Sequence, residues 1–294
     1  MDLQFKRTRI APTPSGFLHL GNVLSFALTA VLARQTGAQI LLRIDDMDRE
    51  RASREYVEDI FDTLHFMEIP WDEGPRNYAE FEKEFSQLHR LPLYEKALLQ
   101  LREQGSVFAC TCSRTQILAL SPDGVYPGTC RNKGIPLDTK DACWRLRTDN
   151  RELRVKAVDQ AIISDILPRS LKDFIVRKKD GFPAYQLTSL ADDLYWNVDL
   201  VVRGEDLWPS TLAQQYLATV LNKPAFSGIR FFHHPLLTGK DGLKFSKSAG
   251  ATSIQFLRKE GKKPADIYAM IAGMMSLAEP VKDRQSLARA LRMI

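Results

Sequence analysis

The chain has 294 residues, 44% of them hydrophobic and 26% charged, an ordinary globular composition with enough length for a large core or two domains. Lys and Arg number 41 against 36 Asp and Glu, a net charge of +5 that permits nucleic-acid binding without requiring it. The sequence has no apolar run of about 18 residues and no apolar signal core in "MDLQFKRTRIAP", so a cytoplasmic protein without membrane contact is expected, and cysteines 110, 112, 130 and 143 are expected as reduced thiols or metal ligands.

"RTRIA" (7–11) reads as a short strand ending at Pro12. Residues 21–36 carry apolar positions at 23, 24, 27, 28, 31 and 32, which is helical spacing, and Gly37 suits the stop. "AQILLRI" (38–44) is a near-continuous apolar run, the mark of a strand buried on both faces. Strand, loop, helix and strand together predict a βαβ unit. A second helix is predicted from Ser53, with Tyr56, Val57, Ile60, Phe61 and Leu64 on one face, and a third over about 86–104, where Pro92 threatens a break and Gly105 ends it. From 106 the texture changes to cysteines, glycines, prolines and strand-like pieces such as "ACWRLRT". "DFIVRKKDGFPAYQL" (173–187) predicts a hairpin turning at Asp180-Gly181. The α/β pattern resumes with a strand at 199–204, a helix at 210–221 capped by Ser210, and a strand at 229–235. "TGKDGLKFSKSAG" (238–250) is a loop, and 253–294 is helical and basic.

Two loops carry candidate chemistry. In "RIAPTPSGFLHLGN" (9–22), Pro12 and Pro14 stiffen the backbone, Gly16 and Gly21 allow close approach, and His19 stands where a helix begins. Free N–H groups there favour an anion; a structural turn whose histidine is satisfied by backbone is the alternative. In "KFSKS", Lys244 and Lys247 offer point charges for phosphate, flanked by Ser246 and Ser248. A solvated charged loop is the alternative. The spacing is not that of a P-loop.

Together the loops resemble the signatures of the class I aminoacyl-tRNA synthetases. "HLGN" (19–22) is similar to His-Ile-Gly-His with Asn22 in the last place, and "KFSKS" (244–248) to Lys-Met-Ser-Lys-Ser. "LLRIDDMDRER", "WDEGP", "AYQLTSLADD" and "VVRGEDL" narrow the resemblance to the glutamyl branch, over most of residues 7–250. It implies an α/β fold, a Rossmann-like parallel sheet with an inserted zinc-bearing subdomain and a short C-terminal helical segment. The expected divisions are 1–105, 106–185, 186–252 and 253–294. Few residues follow the lysine loop, so the chain is similar to a truncated paralogue of the glutamyl enzymes.

That resemblance implies ATP-dependent activation of L-glutamate without tRNA, then transfer to queuosine in the anticodon of tRNA(Asp), by a monomer. ATP would meet His19, Gly21, Asn22, Lys244, Ser246 and Lys247, with Mg²⁺ accompanying it and His19, Lys244 and Lys247 as catalytic groups. Glutamate would meet Arg9, Ala11, Pro12, Thr13, Asp45, Tyr185 and Arg203. Asp45 stands where the family usually has Glu. Cys110, Cys112, Tyr126 and Cys130 match the zinc site, with Cys143 a competitor for the fourth place. Two other readings stay open: a short glutamyl- or glutaminyl-type enzyme or adenylate-dependent transferase with another acceptor, and a non-catalytic RNA-binding paralogue.

Overall fold

The computed structural model describes residues 4–237 and 253–291. In chain order the elements are β1 (Arg7–Ile10), α1 (Leu20–Thr36), β2 (Gln39–Leu42), α2 (Arg54–Phe66), the single turn α3 (Tyr78–Glu80), α4 (Leu91–Glu103), β3 (Val107–Cys110), α5 (Arg114–Leu120), β4 (Cys143–Leu146), β5 (Glu152–Ala157) and β6 (Ile162–Ile166). There follow β7 (Ile175–Arg177), α6 (Tyr185–Tyr195), β8 (Leu200–Gly204), α7 (Trp208–Val220), β9 (Arg230–His234), α8 (Ile254–Lys259), α9 (Pro264–Met274) and α10 (Arg284–Ala290). No described helix is long and apolar enough to cross a membrane. The lysine loop, with Lys244, Ser246 and Lys247, lies outside the described residues.

The chain divides into two compact units. The first comprises 1–87, 198–206 and 231–294. In it β2, β1, β8 and β9 lie side by side in that order, with β1 parallel to both β2 and β8. The parallel bonding continues past the strands: Arg43 N donates to Ile10 O and Asp45 N to Pro12 O, each at 2.9 Å. This continuation fixes the proline loop against the segment carrying Asp45. Helix α1 packs on β1, β2 and β8 and also on α9 and α10. That double contact explains why Leu20, Phe26, Ala30 and Ala33 are buried beside the predicted face: a helix covered on both sides needs no polar face. Gly37 takes φ 72°, the left-handed conformation that lets its N–H close the helix on Ala33 O.

"WDEGP" runs along the edge of β2, where Leu42 N donates to Glu73 O at 2.9 Å. Gly74 sits at φ 102°, and a Cβ there would lie 2.3 Å from Leu42 O. Only glycine permits this approach of two backbones.

The second unit comprises 88–197 and 207–230. It holds the antiparallel sheet β3-β4-β7, the antiparallel pair β5–β6, and helices α4, α6 and α7 packed in sequence. One cluster of buried charge in it is a triad. Asp192 Oδ1 accepts from Arg90 Nε and from Tyr94 Oη, each at 2.7 Å, and Oδ2 accepts from Arg90 Nη2 at 3.1 Å. Tyr94 and Asp192 are fully buried and Arg90 nearly so. Burial opposes the arginine's charge, yet the bonds and charge of Asp192 outweigh it and hold the guanidinium pKa above its ordinary value.

Three local expectations change. Pro92 does not cut the third helix; it occupies the first turn of α4, where the missing N–H costs nothing, and a 3₁₀ turn over 87–90 precedes it. Ser210 is not an N-cap: α7 begins at Trp208 with Pro209 in its first turn, and Ser210 Oγ accepts from Gln186 Nε2 at 3.0 Å. The turn at Asp180-Gly181 forms, with Gly181 at φ 91°. Its second arm, however, is one bridge at Pro183, and the chain enters α6 at Tyr185.

Candidate functional site

In the first unit the loop after β1 is held on three sides. Leu18 N donates to Asp59 Oδ2 at 3.0 Å, Ile254 N donates to Leu18 O at 2.8 Å, and His19 bridges Ser253. Burial raises the Asp59 carboxyl pKa, while the Leu18 N–H opposes the rise. His19 caps α1. Its Nδ1 accepts from Gly21 N at 3.1 Å, and its own N–H donates to Asn22 Oδ1 at 3.0 Å. An accepting Nδ1 places the ring proton on Nε2. A Cβ on Gly21 would come 3.1 Å from His19 Cε1, so glycine lets the imidazole fold over the first turn. Asn22, departing from the family's histidine, is the cap's second half.

Beyond the loop, the ends of β1, β2 and β8 carry chemically distinct groups. Asp45 and Arg43 are both buried; Nε donates to Oδ1 at 2.7 Å and Nη2 to Oδ2 at 3.0 Å, a bidentate fork. Asp46, also buried, accepts from Ser86 Oγ at 2.6 Å, Gln87 N at 2.8 Å and Arg49 Nη1 at 2.6 Å. Arg9 on β1 is buried, with Nη1 at 3.4 Å from Val202 O. Arg203 on β8 is buried with its guanidinium 5.1 Å from the Phe231 ring centre. A Cβ on Gly204 would meet Asp206 Oδ1 at 2.6 Å, so a larger residue after Arg203 would have to displace the Asp206 side chain. Pro12 is buried, Ala11 half-buried and Thr13 exposed. Tyr185 begins α6 in the second unit and is 40% exposed.

"FFHHP" was read only as a strand, and two of its residues matter here. His233 lies beside Arg9 and Arg203: burial, then the charge of Arg203, with His234 and Arg9 behind it, pushes its pKa down to about 3. The Arg9–Arg203–His233 neighbourhood is therefore cationic, and it holds His233 neutral. The signal in the sequence was a histidine pair at a strand's carboxyl end. His234 is a tie: Nδ1 donates to Pro235 O at 2.9 Å, so Nε2 accepts from Ser25 Oγ at 2.6 Å. Because the folded pKa of His233 is below its unfolded value, the unfolded chain binds more protons. Its contribution is complete above about pH 6.5 and fades as pH falls toward 3. Urea unfolding of His233→Asn should thus lose less stability than the parent between about pH 7.5 and 5, by on the order of 1 kcal/mol. Equal losses would contradict the assignment.

In the second unit, Cys110, Cys112 and Cys130 place their sulfurs within 4.8 Å of one another, and Cys112 and Cys130 Sγ are 3.5 Å apart. Tetrahedral thiolate ligation at about 2.3 Å requires sulfurs roughly 3.8 Å apart, so the donors fit a thiophilic ion. Tyr126 Oη accepts from Cys130 N at 2.8 Å, its ring stacks on Phe108, and the Arg145 guanidinium lies 3.7 Å from the ring centre. Cys143 faces Cys110 across β3 and β4. A hydrogen bond from the Cys143 thiol, aided by Tyr126 and Arg145 against burial, pulls the Cys110 thiol pKa down to about 4. Burial pushes Cys112 up to about 11 and the Tyr126 hydroxyl up as well.

The sequence matches the family described as tRNA synthetases class I (E and Q), catalytic domain, over residues 6–125 and 129–291. A glutamyl-Q tRNA(Asp) synthetase of Nocardia farcinica is 36% identical over 95% of this chain and 88% of its own. Another, of Symbiobacterium thermophilum, is 34% identical over 94% and 90%. A solved glutamate tRNA ligase of Elizabethkingia meningosepticum, in complex with its amino acid, shares the fold at TM-score 0.73 and 21% identity. It matches 97% of this chain, which spans 64% of that longer protein. The matching motifs, the parallel sheet and these relatives agree: the chain belongs to the class I tRNA synthetases of the E and Q branch, a family of ATP-dependent ligases.

Proposed function

We propose that the chain activates L-glutamate with ATP and transfers it to queuosine in the anticodon of tRNA(Asp). The observation that carries the substrate reading is the buried cationic neighbourhood of Arg9 and Arg203 at the ends of β1 and β8, beside a histidine kept neutral. A guanidinium fork satisfies both oxygens of a carboxylate at once. In activation the substrate's α-carboxylate attacks the α-phosphate and pyrophosphate leaves. The nucleophile is already anionic, so the work is alignment and charge stabilisation rather than proton removal.

His19 would serve that work, and its position at a helix N-terminus with the ring proton on Nε2 supports the reading. Lys244 and Lys247, which lie outside the described residues, would meet the same phosphates by their resemblance to the family's lysine motif. Mg²⁺ would accompany ATP. Arg43 already occupies Asp45 with its fork, so receiving the substrate's ammonium would require sharing that carboxylate. Zinc held by Cys110, Cys112, Cys130 and Tyr126 would staple the β3–β4–β7 sheet, supplying structure and no step of the reaction.

The queuosine acceptor is supported by relatives bearing that name, which this chain spans nearly whole. With ATP and labelled glutamate, tRNA(Asp) carrying queuosine should retain label, and the same tRNA lacking queuosine should not. Nuclease digestion should place the label in the anticodon fragment. Label released with the 3′-terminal adenosine would replace this reading with ordinary charging.

A further inference from the structure

The metal reading uses three sulfurs and leaves Cys143 over. β3 and β4 are antiparallel with Cys110 directly opposite Cys143, so the two side chains share one face of the sheet. Cys143 Sγ lies 3.3 Å from the Cys110 carbonyl oxygen. Opposed residues of antiparallel strands have Cα atoms about 4.5–5.5 Å apart, inside the range a disulfide spans. Cys112 and Cys130 already bring their sulfurs to 3.5 Å. Strand register therefore pairs Cys110 with Cys143, and sulfur proximity pairs Cys112 with Cys130. Access differs: Cys110, Cys130 and Cys143 are buried, while Cys112 is half-buried and is the first that a small oxidant in water would meet.

We propose that the cluster is a peroxide-sensitive modification site, in which Cys112 and Cys130 close one disulfide, Cys110 and Cys143 close a second, and a bound metal ion is released. The inference rests on the metal reading above for the release, and on geometry alone for the pairing. Hydrogen peroxide is the oxidant. The Cys112 thiol gives up its proton, the thiolate sulfur attacks one peroxide oxygen, the O–O bond breaks, and the other oxygen leaves as hydroxide that takes up the proton to become water. The sulfenic acid so formed is attacked by the Cys130 sulfur; the S–S bond forms, the S–O bond breaks, and a second water leaves. Two thiols and one peroxide give one disulfide and two waters, with two electrons passing from sulfur to oxygen. A second equivalent acts in the same way on Cys110 and Cys143. Disulfide sulfurs carry no charge to hold a cation. The second bridge ties β3 to β4 covalently, so oxidation replaces the metal clip without releasing the strands.

The test uses the full chain as isolated, with its zinc content measured first. Limited peroxide treatment, thiol blocking and non-reducing peptide mass spectrometry should find the Cys112–Cys130 link first and the Cys110–Cys143 link second. A chromogenic chelator should record metal release in step with the first link, and a thiol reductant with added zinc should reverse both. In Cys143→Ser the first link and the release should persist while the second link disappears. Sulfinic acid at Cys112 without a link, or a Cys110–Cys112 link in place of these pairs, would overturn the proposal. A chain isolated without metal that still forms both links in this order would remove the metal reading and leave the pairing standing.

Discussion

Replacing Arg203 with glutamine is expected to lower the efficiency of glutamate-dependent exchange of pyrophosphate into ATP by on the order of 10²–10³-fold, mostly through a higher KM for glutamate. Arg203 is buried on β8, and Arg9 is buried on the adjacent strand β1. A substrate carboxylate entering there exchanges water for a fixed fork, and the truncated site would leave that carboxylate desolvated without its partner. The KM for ATP should change little. Discrimination against glutamine should shrink, because an amide oxygen accepts where the amide nitrogen cannot, and the neutral variant no longer favours the carboxylate. Arg203→Lys should recover part of the loss by charge while lacking the fork. Arg203 also stacks on Phe231, so unfolding midpoints must accompany the kinetics. A uniform fall in activity toward every amino acid, tracking lost stability, would assign Arg203 a packing role instead.

The second large effect is on stability. Asp192→Ala should destabilise the protein by about 3–5 kcal/mol in denaturant unfolding, because it leaves the Arg90 guanidinium buried without its partner and strips the acceptor from Tyr94. The cost belongs to the broken half, not to the pair. Exchanging all three groups together, as Arg90→Met, Asp192→Leu and Tyr94→Phe, should recover much of the loss, since no buried polar atom of the triad then lacks a partner. A triple variant as unstable as Asp192→Ala would mean that packing around the triad, not its charge, carries the effect.

The sequence made the first βαβ unit legible because β2 is apolar on both faces and α1 follows a proline-stiffened loop and ends at a left-handed glycine. It did not reveal β5 and β6. Their alternation is diluted by charge in "ELRVKA", β6 is largely exposed, and the connection contains Gln160 at φ 72°, a turn made without glycine or asparagine. Pro92 and Pro209 misled in the same way, each marking a helix start that spacing alone placed elsewhere. In the site, His19, Arg203 and the Cys-x-Cys pair stood out through motif and spacing. The Arg43–Asp45 fork and the facing of Cys110 with Cys143 did not, because one is a choice among neighbouring charges and the other a strand register between positions 33 apart in the chain. His233 was hidden for a related reason: its neutrality comes first from burial and then from the charge of arginines contributed by other strands.

The account turns on glutamate activation at the strand ends of the first unit, and pyrophosphate exchange without added RNA measures it most directly. Run side by side with glutamate, glutamine and aspartate, the purified chain should incorporate label into ATP with glutamate and only weakly with the other two. Exchange that is absent with all three, or as fast with glutamine as with glutamate, would contradict it.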